Sequence, residues 1–452
     1  MLIAAHILWG VVAILLFRTA PPRQAFWAAL IGGWLLLPPA AYGPLPPPGS
    51  FTFTIVGSGL PSAQLVTKQW TAPAIALFAS ALFDGARWRS LVWRWRDLPI
   101  AGFCFWPLLQ GVVVGATSPA PPVASLYLFG AWGLPWLAGK LYLRSRDDAR
   151  AFAAMLAGLT MLLLPLASLE GITRFRIHTM IYGTSPFAHD GIERYVGFRP
   201  QLFFEHGNQY GLWIAGAALV AAWRWREAAG EAAAARWGAA AALLAVAALA
   251  AQSAGAITLL VAGLGLLFVP RLFGALRIAL PVALAGALAV GALHVSGAVP
   301  LRSLATDTAP GRAIVGALRA SGRGSAAWRV GQDLKTLPLL RADAVIGTGR
   351  WDWFRPAATR PWGLPLLVLG AYGLVGLAFL GAALGGALIR LATSARSGEP
   401  NAAGSRLAVL LLLLFALDAL FNSFLFYPAI AAAALSSGSR KDASPDRMPA
   451  AA

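Results

Sequence analysis

Residues 407–435 read LAVLLLLLFALDALFNSFLFYPAIAAAAL, a run whose only side chain charged at neutral pH is Asp418. A membrane-crossing helix needs about 20 mostly apolar residues, so this run is long for one span and short for two. Asp418, Asn422 and Ser423 interrupt it near the middle, and it reads as a helical hairpin ending at Arg440 and Lys441. Comparable apolar runs recur along the 452-residue chain, which is 58% hydrophobic and 12% charged. Helices satisfy their own backbone groups in lipid one segment at a time. A β-barrel would instead show short alternating strands. The expected fold class is all-α, a polytopic helical membrane protein with about 12–13 transmembrane helices.

Working outward, the short basic loops near Arg18, Arg87, Arg144, Arg224, Arg271, Arg390 and Arg440 fall on one side if there are 13 spans. By the positive-inside rule that side is cytoplasmic. Two large loops, 171–208 and 300–362, then lie on the extracytoplasmic side. The chain divides into N-terminal helices at 1–170, a functional membrane region at 171–435 and a disordered cytoplasmic tail at 436–452. Residues 86–97, ARWRSLVWRWRD, read as an interfacial helix with tryptophans at the headgroup level. The first apolar run has no basic segment before it and reads as a retained span. The single cysteine, Cys104, excludes a disulfide within the chain.

The net charge of +18 fits the positive-inside bias and anionic headgroups, and it also fits an anionic substrate. No soluble basic domain exists to bind nucleic acid, which is excluded as a partner.

Polar groups concentrate in residues 193–213, ERYVGFRPQLFFEHGNQYGLW. Polar residues held beside a membrane span are costly and tend to be functional. Two readings of His206 stand side by side. It caps or packs beside the start of the following span, with Asn208 as a plausible N-cap, or it is a general base whose ordinary pKa lies near neutrality. Glu205 is either the base itself or the group that orients it. Arg194, Arg199, Gln201 and Asn208 are candidate substrate contacts.

The 300–362 loop is basic as well, and long loops are exempt from the positive-inside rule. Arg323, Arg329 and Arg350 are its candidate phosphate contacts, because the guanidinium fork binds phosphate bidentately. Anionic headgroups in the facing leaflet are the alternative cause. Within the loop, residues 325–340 place Trp328, Leu334 and Leu337 at helical spacing, which suits a helix lying on the membrane surface. Gly347-Thr348-Gly349 suggests a tight loop. The glycines from Gly370 to Gly385 suggest close helix packing. The outer loops carry neither D-x-D nor zinc-type spacing. The expected chemistry therefore relies on arginine, with no metal site and no cofactor.

These pieces resemble the O-antigen ligase and polymerase family of bacterial envelopes. The resemblance rests on R-x-x-G-F-x-x-x-x-F from Arg194, N-x-x-G at Asn208, the large late loop, G-x-G at Gly347 and the run PLLVLGAYGLVGL at 365–377. It covers about residues 171–435. The chain departs from the family in two places. The turn at Ser253-Ala254-Gly255 lacks the family's arginine, and the largest loop lacks the histidine that the ligases place there.

The resemblance implies inverting glycosyl transfer at the outer face of a bacterial inner membrane. The implied partners are an undecaprenyl diphosphate-linked glycan donor, a glycan or lipid acceptor, and membrane lipids. A transporter or flippase of a lipid-linked anion is the competing class, expected to show related halves and broken helices. A structural envelope subunit is a third, and it would not need the polar cluster at 193–213.

Overall fold

The structure is a computed structural model that describes residues 1–41, 57–183, 193–194, 197–269, 271–320, 325–395 and 402–437. The side chains of 193–194, 318–319 and 325–327 lie outside that description, as does the tail expected to be disordered, from residue 438 onward.

The chain is 77% helical. In order, the helices are α1 (Leu2–Thr19), α2 (Pro22–Leu36), α3 (Lys68–Phe83), α4 (Gly85–Arg89), α5 (Leu98–Val114), α6 (Pro121–Leu128) and α7 (Leu134–Tyr142). They continue with α8 (Arg146–Thr173), α9 (Ile177–Tyr182), α10 (Gly207–Glu227), α11 (Ala234–Ala250), α12 (Ala254–Phe268) and α13 (Arg271–Ser296). The last are α14 (Leu301–Asp307), α15 (Ala309–Ala320), α16 (Ser325–Ala342), α17 (Leu364–Ser394), α18 (Ala402–Ala419) and α19 (Tyr427–Ala433). A two-residue hairpin pairs Glu193–Arg194 with Gly197–Phe198. Among the described residues, six helices are long and apolar enough to cross a membrane, the pattern of a multi-pass helical membrane protein.

α10 is the centre of the bundle. Its residues from Gln209 to Trp223 are all buried, and it packs against α8, α11, α12 and α18. A helix buried on every side needs apolar residues all round, and α10 has them until Arg224. Around it the outer surface is hydrocarbon: Val112, Leu162, Ile172 and Val282 are all exposed. Burial and exposure of apolar groups thus coexist, as expected where the outside is lipid. Below the N-terminus of α10 sits an aromatic cluster. The Trp34 and Trp213 rings stack with centroids 6.0 Å apart, and Phe204, Phe426 and Tyr427 close around them.

Three departures from plain helix bear on the expectations from sequence. The 86–97 segment is not one interfacial helix: α4 stops at Arg89, and only a 3-10 turn at Trp95–Asp97 follows. Asp97 explains this, because its carboxylate accepts the Arg94 backbone N–H and binds the Lys140 ammonium, drawing the chain inward. Trp93 and Trp95 are exposed all the same.

The second departure is at Gly373, which lies inside α17 with φ +67. There the expectation of helix packing alone is insufficient. The break exchanges backbone hydrogen bonds with the 344–349 segment: Leu374 N–H donates to Ala344, and Thr348 and Gly349 donate to Gly370 and Ala371. Gln110 and Trp106 side chains bind further carbonyls there. Irregular backbone is tolerated at membrane depth only when buried and satisfied in this way. The Gly347-Thr348-Gly349 loop therefore brings its backbone against α17. The packing expectation suits Gly370, which abuts the Trp353 ring, but not Gly381, which faces open space.

The third is the 407–435 run. It breaks after Ala419, as Asp418 and Asn422 suggested. Residues 422–426 are non-helical and buried, and α19 is only seven residues long. Leu425 N–H donates to Gly57 O, joining this segment to the chain that follows α2.

Candidate functional site

The loop entering α10 is held by side chains more than by regular structure. Glu170, fully buried near the end of α8, accepts from the Gln201 and Leu202 backbone N–H groups and from Arg176. The Gln201 side chain donates to the Phe204 and Glu205 carbonyls at 3.0 and 2.5 Å. From the other side, Lys68 donates to the Phe203 and Trp34 carbonyls, each at 2.7 Å. Its ammonium lies 4.8 Å from the Phe204 ring centroid. A fully buried ammonium is tolerated only with partners of this kind.

His206 is the N-cap of α10. Its Nδ1 accepts the Asn208 backbone N–H at 3.0 Å, so the expected cap at Asn208 moves two residues upstream. Asn208 Oδ1 instead accepts from Arg199 at 3.0 Å. Gln209 Oε1 accepts from the Glu205 backbone N–H. Of the first-turn N–H groups, that of Asn208 is capped by the His206 ring and that of Tyr210 reaches the His206 carbonyl. The cap also fixes the His206 ring. A neutral imidazole has one acceptor and one donor nitrogen, so Nε2 carries the proton. The ring stacks on Phe424, with centroids 5.6 Å apart.

The Glu205 side chain is buried. Its charge acts on Lys68 and on Arg360 from the large loop. Gly57 lies directly against it, and a Cβ there would overlap Oε2. Burial lowers the Arg360 guanidinium from its ordinary value while the Glu205 charge raises it. Arginine remains a cation through such shifts.

α16 lies alongside. Its buried face is Asp333, Thr336, Leu337 and Leu340; of the residues noted at helical spacing, Leu337 is buried, Leu334 half-buried and Trp328 exposed. Asp333 Oδ1 accepts the Trp362 backbone N–H at 2.8 Å. Burial pushes the Asp333 carboxyl up to about 6, against the Trp362 bond and the Arg329 charge. Arg329 donates to Phe421 O and Asn422 Oδ1, and Asn422 in turn donates to Asp418. The Arg329 and Arg360 guanidiniums lie 5.0 and 4.2 Å from the Trp362 ring centroid.

Of the residues expected from sequence, Arg199, Gln201, Glu205, His206 and Asn208 come together in one segment. Arg329 joins them through Asn422 and the 421–424 chain. Arg350 sits elsewhere, paired with Asp352 and bridged to Ser118. The Arg194 side chain and all of Arg323 lie outside the described residues. Lys68 and Arg360 were missed. Lys68 is the only charge in its loop, and Arg360 is one of many loop arginines, so neither had a distinguishing spacing. Among the described residues, no three His, Cys, Asp or Glu side chains gather as a metal set.

The arrangement offers a buried carboxylate, an imidazole donor and two arginines held on one indole ring. Comparison with family models, curated proteins and solved structures finds no match to this chain.

Proposed function

We propose that the protein is a membrane glycosyltransferase of the O-antigen ligase or polymerase type. In this reading about 12–13 spans cross a bacterial inner membrane, with the site on the extracytoplasmic face. The donor is an undecaprenyl diphosphate-linked glycan, and the acceptor is a glycan or lipid hydroxyl. The observation that carries the reading is the pair of guanidiniums, Arg329 and Arg360, held 5.0 and 4.2 Å from the Trp362 ring centroid, with Arg329 bound to the 421–422 chain that leads to the His206–Phe424 stack.

Fixed cations stabilise charge that develops on a leaving diphosphate, most strongly where water is scarce. The acceptor hydroxyl attacks the anomeric carbon as the bond to the diphosphate oxygen breaks, inverting the centre. Glu205 takes the hydroxyl proton. His206, expected as a base, serves better as a donor, because its Nε2 already holds a proton.

The test is transfer from a lipid-diphosphate donor by purified protein. Glu205→Gln should lower the rate by about 100- to 10,000-fold, as loss of a general base does. A parental rate in that variant removes Glu205 from the chemistry.

A second reading has an observation of its own. The break at Gly373 and the non-helical 422–426 segment are the kind of interruption that transporters place at their substrate sites. Movement of a labelled lipid diphosphate across liposomes, without formation of any glycosidic product, would favour that class.

A further inference from the structure

The helices that hold the candidate site carry a second cluster at their opposite ends. Arg23 lies in the first turn of α2, Arg150 near the start of α8 and Arg224 in the last turn of α10. α10 alone separates this cluster from His206 by about 30 Å, at 1.5 Å per residue. The three arginines line a cavity of about 450 Å³ together with Gln24, Asp147 and Trp237. Three guanidiniums therefore face one lining carboxylate, and Asp147 is itself largely exposed.

Each arginine has an acidic neighbour, and Arg150 reaches Asp147 at 3.6 Å. Arg23 pairs with Asp148 at 3.0 Å. Glu231 reaches Arg150 at 3.5 Å and Arg224 at 3.0 Å from a substantially exposed position. Arg150 Nε and Arg224 Nη1 are nevertheless buried with no hydrogen-bond partner among the described residues. Arg224 also sits 5.8 Å from the Trp237 ring centroid. The N-termini of α2 and α8 bring positive dipole ends to the cluster, and the C-terminus of α10 a negative one.

We propose that this cavity binds a phosphate-bearing anion, either the headgroup of an anionic phospholipid or a soluble phosphate. Phosphate oxygens can accept from several guanidinium forks at once. A basic pocket between membrane helices is a known design for phospholipid headgroups. The tryptophan matches the depth at which headgroups meet the bilayer. The proposal is independent of the chemistry assigned to Glu205 and His206.

The experiment measures lipid retention by the purified full chain with native mass spectrometry, offering phosphatidylglycerol against phosphatidylcholine. Inorganic phosphate is titrated separately by thermal shift. Preferential retention of phosphatidylglycerol, weakened about tenfold or more in the Arg150→Gln/Arg224→Gln variant, supports a lipid headgroup. A thermal shift with inorganic phosphate, lost in the same variant, supports a soluble ligand. Glu231→Gln removes the competing carboxylate and should tighten either ligand. Asp147→Asn should do the same and covers the case in which the double variant does not fold. Equal retention of both lipids with no response to phosphate overturns the proposal. So does binding that is unchanged in the arginine variant, or in Asp147→Asn.

Discussion

His206 Nδ1 accepts the Asn208 backbone N–H at 3.0 Å, so a single side chain both starts the central helix and presents its Nε2 proton beside Phe424. Helix stability and any donor role are thus vested in the same ring. They separate by substitution. His206→Asn supplies another side-chain acceptor for the cap and should retain the parent's thermal stability, while His206→Ala should cost about 1 kcal/mol. Both should lose glycosyl transfer if the Nε2 proton is used. Parental activity in His206→Asn would leave the histidine with the cap alone.

Arg360 tests the arginine chemistry. Its guanidinium lies over Trp362 and acts on Glu205. Arg360→Lys keeps the charge but loses the planar stack and fork. Transfer should fall markedly while thermal stability changes little. A rate equal to the parent's would show that charge alone suffices, or that no diphosphate binds there.

Asp333 predicts a pH dependence. Its folded-state pKa of about 6 lies above the ordinary value of 3.8. The folded protein therefore binds more protons than the unfolded chain between those values, and stability falls as pH rises through them. The loss should be on the order of 2–3 kcal/mol, complete above the folded pKa. Asp333→Asn keeps an acceptor for the Trp362 N–H and should flatten this part of the profile. Thermal unfolding of parent and variant from pH 4 to pH 7 measures the difference, and identical profiles would exclude Asp333 as the source.

Two glycines in one helix should behave oppositely. Gly373→Ala places a Cβ at φ +67 against the Val345 carbonyl. The backbone region alone costs about 1–3 kcal/mol, with the steric overlap in addition. Gly381→Ala meets nothing within 4 Å and should be neutral or stabilising by up to about 1 kcal/mol. Thermal unfolding of the two variants in the same detergent checks both, and equal midpoints would contradict the assigned break.

Sidedness is checked by cysteine labelling, made simple because the native Cys104 is buried. Lys335→Cys should react with an impermeant reagent applied from outside, whereas Arg89→Cys should react only after permeabilisation. The reverse pattern would invert the proposed topology and the site's location with it.

The sequence made the helical membrane class legible because hydrocarbon runs carry their own length scale. Asp418 and Asn422 likewise marked the break in the last run, since polar residues there need local partners. Gly373 was not legible as a break: its spacing is shared with Gly370 and Gly376, and only the carbonyls of Ala344 and Val345 distinguish it. The polar group at 199–209 could be read because its members are neighbours in sequence. Arg360 could not, because its relation to Glu205 spans 155 residues and arises only when the large loop folds back. The burial of Asp333 on α16 was not legible for a related reason. Asp333 counts as surface until Trp362 offers it a backbone N–H.

Lys68 also carries a consequence for biogenesis. Its ammonium is satisfied by the Trp34 carbonyl, already made, and by the Phe203 carbonyl, 135 residues later. At synthesis rates of about 5–20 residues per second, roughly 7–27 s pass before the second partner emerges. During that interval α3 holds a cation with half its final coordination. The first three helices are therefore not a finished unit when they leave the ribosome, and a chain stopped before Phe203 should be cleared by proteases faster than the same fragment carrying Lys68→Met.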